Sequence, residues 1–266
     1  MHQGRRETAP SGDAAHRMIG NGHRAAAGVE RLMWRVAPGK MIQRALPRPD
    51  PELESVYLKR RLILIHIPKN AGTSVEDAIY GYHVRHRTWA EVRDLCPLAW
   101  ATLPKIAIVR DPVDRFLSAY DYLRGGGRNA ADRAFAQRMV IGHSAAQVAA
   151  RLAGRSGFRR IAMQFFHFRP QSDYVSDGAT AMVDHLIPIT HMAEGLQRYA
   201  GLPRDALRHA NRTGGHRTDR ASLDAATVAQ IEAVYATDRA LYDGATAAWA
   251  AQYITKPKAR QAGTPL

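Results

Sequence analysis

Apolar and polar positions follow two regimes along this chain. From residue 61 onward, short unbroken apolar runs, "RLILIHI" at 61–67 and "KIAIV" at 105–109, each lead into a turn and then into helical spacing. An unbroken run of this length, rich in isoleucine and valine, is the pattern of a parallel strand buried on both faces. After the first run, Thr73 or Ser74 is placed to cap a helix over "SVEDAIYGY". After the second, Pro112 suits the first turn of a helix, with Phe116, Leu117, Tyr120 and Leu123 near one face. "ADRAFAQRMVIG" and "SAAQVAARLAG" read as further helices, the latter capped by Ser144 and stopped by Gly154. "AMVDHLIPI" predicts a later strand, and "THMAEGLQRYAG" a helix capped by Thr190. From Ser222 the pattern is one long amphipathic helix or two short ones. Two strand-loop-helix units joined by a crossover predict an α/β, P-loop-like three-layer fold. A central, mostly parallel sheet is flanked by helices, with ligands at the strand C-terminal ends.

Residues 1–55 lack this order. They are rich in Arg, Ala, Gly and Pro, and "APGKMIQRALPRPDPELES" reads as a linker. A helical turn or two within "RAAAGVERLMWRVA" would put Val29, Leu32 and Met33 on one face. The expected organisation is a flexible or loosely docked extension over 1–55, a domain over 56–256 and a tail over 257–266. No run reaches the length of a membrane span, and the first residues lack the apolar core of a secretory signal. A cytoplasmic location is expected. Cys96 is the single cysteine, which excludes an intrachain disulfide and a cysteine metal cluster.

Charge narrows the partners. The 266 residues carry 38 Lys and Arg against 24 Asp and Glu, a net charge of +14. Such a chain favours anions: a nucleotide, a polyanionic glycan, or peripheral contact with an anionic membrane. No aromatic and basic residues interleave as in a nucleic-acid module, so no nucleic-acid partner is expected. No metal-ligand spacing is present either.

The candidate chemistry lies in the two loops. In "LILIHIPKNAGTS", a strand ends at Ile67, turns through Pro68 and enters a helix. Unpaired N–H groups at a helix start bind anions. Gly72 permits close backbone approach, Thr73 and Ser74 add hydroxyls, and Lys69 adds a point charge. In "VRDPVDRFLSAY", Arg110 stands at a strand end with a fork of donors for a phosphate, and Ser118 supplements it. Arg115 also fits a simple i,i−4 ion pair with Asp111.

"HIPKNAGTS" followed by "IVRDPVDRFLSAY" resembles the paired motifs of sulfotransferases that use 3′-phosphoadenosine 5′-phosphosulfate (PAPS). The likeness is to the carbohydrate group, the heparan and chondroitin sulfotransferases and their bacterial relatives. It spans about residues 61–245 and continues in "HFRPQSDYV", "AMVDHLIPITHMAEGLQRYAGL", "NRTGG" and "VYATDRALYD". The resemblance implies that Pro68, Lys69, Asn70, Ala71, Gly72, Thr73 and Ser74 bind the 5′-phosphosulfate. It places Arg110 and Ser118 on the 3′-phosphate.

"HRTWAEV" is similar to the segment of glycan 6-O-sulfotransferases in which a histidine is the base. That points to His86, with Trp89 able to stack on a sugar; His83 and Glu76 are the alternative bases. Without the resemblance, His86 would be one of twelve ordinary histidines. His167, Arg169 and Gln171 are candidate acceptor or cofactor contacts, against a reading as polar packing beside "FFHF". Arg212, His216 and Arg217 lie in a glycine loop that could close over the nucleotide. The expected activity is O-sulfuryl transfer from PAPS to a saccharide or glycolipid, leaving the bisphosphate PAP. The alternatives are a P-loop kinase-like phosphotransferase, which lacks a lysine after Gly72, and a non-enzymatic polyanion binder.

Overall fold

The computed structural model describes residues 49–154, 157–207 and 217–254. The helical turns expected within 24–37, the glycine loop with Arg212 and His216, and the tail from 257 lie outside the described residues.

The chain enters through α1 (Pro51–Arg60), which ends the linker reading five residues early. Asp50 accepts a hydrogen bond from the Leu53 N–H, and Pro51 opens the helix, two helix-start signals inside a stretch read as breakers. Leu53 and Tyr57 are buried, so α1 is part of the core. β1 (Ile63–Ile65) follows, then α2 (Gly72–Tyr80), α3 (Trp89–Leu95) and α4 (Pro97–Thr102). β2 (Lys105–Val109) leads into α5 (Pro112–Arg124), α6 (Ala130–Met139), α7 (Ala145–Ala153), α8 (Gly157–Gln164) and the short α9 (Ser172–Val175). A small hairpin of β3 (Ser176–Asp177) and β4 (Thr180–Ala181) precedes β5 (His185–Pro188). After a 3₁₀ turn come α10 (Met192–Ala200), α11 (Ala225–Val234) and α12 (Ala236–Ile254). The C-terminal pattern therefore resolves into two helices.

The protein is mixed α/β, with a three-stranded parallel sheet in the order β1-β2-β5 flanked by helices. Leu64 pairs with Ile106, and Ile108 with Ile187. The apolar runs are buried throughout β1 and over most of β2, as unbroken hydrophobic strands require. The outer side of β1 is closed by one side chain. The Tyr80 hydroxyl accepts from the Leu64 N–H at 2.9 Å and donates to the Leu62 carbonyl at 3.1 Å, standing in for a missing strand. One apolar core surrounds the sheet; a second lies among α5, α6, α7, α8 and α11, with Phe135 and Phe165 stacked at 3.8 Å. Val113, Phe116, Leu117, Tyr120 and Leu123 of α5 belong to this second core.

Two expected caps fail. Helix α2 starts at Gly72 with Ala71 as its cap residue, and no side chain caps it; Thr73 and Ser74 lie inside its first turn. Thr190 lies in the 3₁₀ turn, and α10 begins two residues later without a side-chain cap. Ser144 and Gly154 bound α7 as expected. Helices α3 and α4 come from a segment read only for its histidine and tryptophan. Thr88 and Glu91 there form a full capping box, a helix-start signal of the S/T-x-x-E type.

Candidate functional site

The first loop is built around a buried histidine that the sequence reading passed over. His66 ends the strand run and is 4% exposed. Its Nδ1 lies 2.7 Å from Glu76 Oε1, and the ring packs against Gly72. A Cβ at position 72 would sit 1.9 Å from the imidazole Cδ2, so this glycine makes room for His66. Close approach to a ligand is not what demands it. Glu76 Oε2 meets His83 Nδ1 at 3.3 Å. Both oxygens of this buried carboxylate thus face histidines, which removes Glu76 as a free base and leaves exposed His83 beside it. Lys69 and Ala71 take left-handed backbone, with φ of 71° and 62°. Thr73 is exposed and Ser74 half-buried.

The second loop is fastened to the first by buried polar side chains. Asn70 donates through Nδ2 to the Ile108 carbonyl and to Gln171 Oε1, both at 2.7 Å. Gln171 Oε1 also accepts from the Arg110 N–H at 3.0 Å, while its Nε2 donates to the Arg110 carbonyl at 2.8 Å. Gln171 is fully buried, and its own N–H donates to Asp238 Oδ2. Asn70 and Gln171, both expected to contact ligand, use these hydrogen bonds to tie the two loops together, while the buried Asn70 Oδ1 has no hydrogen-bond partner among the described residues. Asp238 is buried and also accepts from the Ser172 N–H at 2.9 Å, a structural tie. Arg115 is buried too, donating from Nε to the Pro68 carbonyl at 3.1 Å and from its terminal nitrogen to the Arg169 carbonyl at 2.8 Å. It makes no i,i−4 pair; Asp111 instead binds Arg220 and Arg239 at 2.9 and 2.6 Å.

Arg110 is half-buried beside this frame, one terminal nitrogen donating to the Lys69 carbonyl at 3.3 Å. Burial lowers its proton affinity, Asp114 offsets part of this, and Arg217 lowers it further. The segment carrying Arg217 is anchored by Thr218, whose N–H and hydroxyl both donate to Asp121, at 2.7 and 2.6 Å. Ser118 lies on α5, half-buried. Arg169 pairs with Asp173 at 3.2 Å, and its backbone carbonyl serves the Arg115 tie.

Beside the loops lies a cluster of rings. His86 lies edge-on to His66 with ring centroids 4.1 Å apart, and stacks on Phe166 at 5.3 Å. Its Nδ1 is 3.4 Å from the His66 carbonyl. Burial, then His66 and His167, push its pKa down to about 3, so the imidazole is neutral at physiological pH. His167 is 6.3 Å from His86 between centroids. Its Nε2 stands 3.3 Å from Asp132 Oδ1, within ion-pair distance though off the line of a hydrogen bond. Burial lowers the pKa of His167. Lys69 lies over the Tyr122 ring, and burial, with Arg128 and Arg110, brings its pKa down to about 8. Trp89 does not fit the role expected of it. It is 9% exposed, with its indole N–H donating to the Ser176 carbonyl and its ring against Trp100, so no face is open to a sugar.

The structure thus brings Lys69, Arg110, His86 and His167 to one end of the sheet. Sequence reasoning missed His66, Tyr122 and Asp132. The first hid inside an apolar run, Tyr122 lies two residues beyond the second motif on the helix that it opens, and Asp132 lies on the next helix. Among the described residues, no group of three or more His, Cys, Asp and Glu could hold a metal ion, and no helix is long and apolar enough to cross a membrane. No family model matches the chain, and no curated protein or solved structure is found similar to it.

Proposed function

We propose that this protein is an O-sulfotransferase built on a P-loop-like variant of the α/β fold. It moves a sulfuryl group from PAPS to a hydroxyl of a saccharide or glycolipid. One observation carries the reading. Two loops at the ends of adjacent parallel strands are tied together, and Lys69, Arg110, Arg115 and Arg128 lie close enough to oppose one another's charge, with Asp132 acting against this at Lys69 and Asp114 at Arg110. The pKa of Lys69 falls chiefly through burial, and Arg128, Arg110 and Arg115 lower it further. A site whose cations repel one another is relieved by a polyanion. A nucleotide with a phosphosulfate at one end and a 3′-phosphate at the other suits the spacing of charge: Lys69 at the first loop, Arg110 and Arg217 at the second.

In the reaction, the acceptor oxygen forms a bond to sulfur as the bond from sulfur to the bridging oxygen breaks. The electron pair leaves with the 5′-phosphate of PAP. The hydroxyl proton goes to His86. With Nδ1–H donated to the His66 carbonyl, Nε2 carries the free lone pair, so one carbonyl fixes the basic tautomer. Lys69 stabilises charge on the leaving oxygen, in a half-buried setting where a fixed cation counts for more than in water. The kinase-like alternative needs a carboxylate free to hold magnesium. Asp111, the one at the second strand end, is engaged by Arg220 and Arg239.

Incubation with sulfur-labelled PAPS and a panel of glycans tests the activity; no transfer and no PAP binding would end the proposal. The nucleotide geometry has its own test. Arg110→Ala should weaken binding of PAP at least tenfold more than binding of the same nucleotide without its 3′-phosphate. Equal losses would remove Arg110 from the 3′-phosphate.

A further inference from the structure

Among the described residues, no acid lies within ion-pair distance of the Lys69 ammonium. Its Nζ lies 4.0 Å from the centroid of the Tyr122 ring, on α5. The charges around it are mostly alike: Arg128, Arg110 and Arg115 oppose its protonation, and Asp132 favours it. The neutral rings of His86 and His167 share the same space. A ring face attracts a cation through its quadrupole without neutralising it.

The ring is fixed from behind. The Tyr122 hydroxyl donates a short hydrogen bond to Asp132 Oδ2 and accepts one from the Arg128 N–H at 3.0 Å. Asp132 is held in turn by Asn129 Nδ2 at 2.9 Å. Gly127, at φ +64°, lets the backbone pass so close to Asp132 that an added Cβ would come within 2.2 Å of that side chain's own Cβ. A phenol donating to a carboxylate has a more electron-rich ring, so Asp132 strengthens the face that Lys69 meets.

We propose that Tyr122 is a positioning residue: it docks the Lys69 ammonium on its ring face in the ligand-free protein and yields it to an incoming phosphate or phosphosulfate. The docking keeps the lysine charged among repelling arginines. An anion outcompetes a ring face for an ammonium, so arrival of the ligand draws Lys69 off Tyr122. The yielding step rests on the sulfuryl-transfer reading; the docking does not.

The chain has six lysines. Protein labelled with carbon-13 in lysine alone, with Lys69→Arg for assignment, gives a separate NMR signal for the Lys69 Cε. In the wild-type protein the Cε protons should be shifted upfield by the ring, with a titration midpoint near 8. Tyr122→Leu should abolish the upfield shift and lower the midpoint by about one unit. Tyr122→Phe keeps the ring, so it should retain the upfield shift and move the midpoint by less. A wild-type Lys69 signal without a ring shift overturns the docking, and this measurement needs no variant to fold. A midpoint unmoved in Tyr122→Leu overturns it as well. Saturating PAP should then remove the ring shift from the wild-type signal. If the shift persists although PAP is bound, the yielding is wrong. If PAP does not bind, the sulfuryl-transfer reading fails while the docking stands on the ligand-free spectrum.

Discussion

Lys69 and His86 set opposite edges of one pH window. The base works when deprotonated, and burial keeps His86 in that form above about pH 3; so low a value makes it a weak proton acceptor until the negative charge of a bound donor raises it. The electrophile works when protonated, and with its pKa near 8 Lys69 loses its charge above that value. In the free protein kcat/KM should therefore be level between these limits and fall about tenfold per pH unit on the alkaline side. Lys69→Arg should erase the alkaline fall near pH 8, because a guanidinium stays charged there, while lowering the plateau. A fall that persists unchanged in this variant would assign it to another group. His86→Ala should reduce kcat by about 10²- to 10⁴-fold. Lys69 and Arg110 could be picked out in the sequence because each belongs to a local pattern at a strand end, whereas His86 was singled out only through the resemblance of its segment. His66 was not, because a histidine within an apolar run carries no sign that a glycine six residues on must make room for it. Trp89 was misread for a related reason: an aromatic residue at a helix start looks the same whether its ring meets a ligand or Trp100.

At the scale of elements, the fastening of the two loops decides whether the site exists before ligand arrives. Asn70, Arg115 and Gln171 connect the ends of β1 and β2 with the segment entering α9. Removing Gln171 takes a partner from the part-buried Arg110 N–H and carbonyl and one of two acceptors from the buried Asn70 amide. Gln171→Ala should thus cost about 3 kcal/mol, measurable by urea denaturation, since unsatisfied buried groups each cost about 1–3 kcal/mol. Its Kd for PAP should rise even under conditions where the variant is fully folded. A variant with unchanged stability would show that water replaces the amide without penalty. The strands and most helices were predictable because hydrophobic period and caps are short-range signals. The ties were not: Asn70 and Gln171 are 101 positions apart, and a buried amide looks like a ligand contact until its partners are placed.

For the whole molecule, a net charge of +14 is too large to be settled by the ion pairs around Asp111. It creates a long-range attraction for an anionic acceptor that salt screens over about 8–10 Å at 0.1–0.15 M. With a sulfated or carboxylated glycan, kcat/KM should fall steeply between 50 and 200 mM salt, conditions chosen on the order of one Debye length. With a neutral glycan it should fall much less, and parallel curves would confine the charge effect to the nucleotide. The same molecule holds two non-glycine residues, Lys69 and Ala71, in left-handed backbone on either side of Asn70. An L-residue there is strained by about 1–2 kcal/mol. The two positions should part company under selection for heat resistance. Ala71→Gly relieves strain at a site with no side-chain duty and should raise the melting temperature by a few degrees, about 0.5–1 kcal/mol. Lys69→Gly should raise it similarly and leave a hardier protein without its ammonium. A screen that rewards durability alone would therefore discard the lysine, and only a screen that also rewards turnover would keep it.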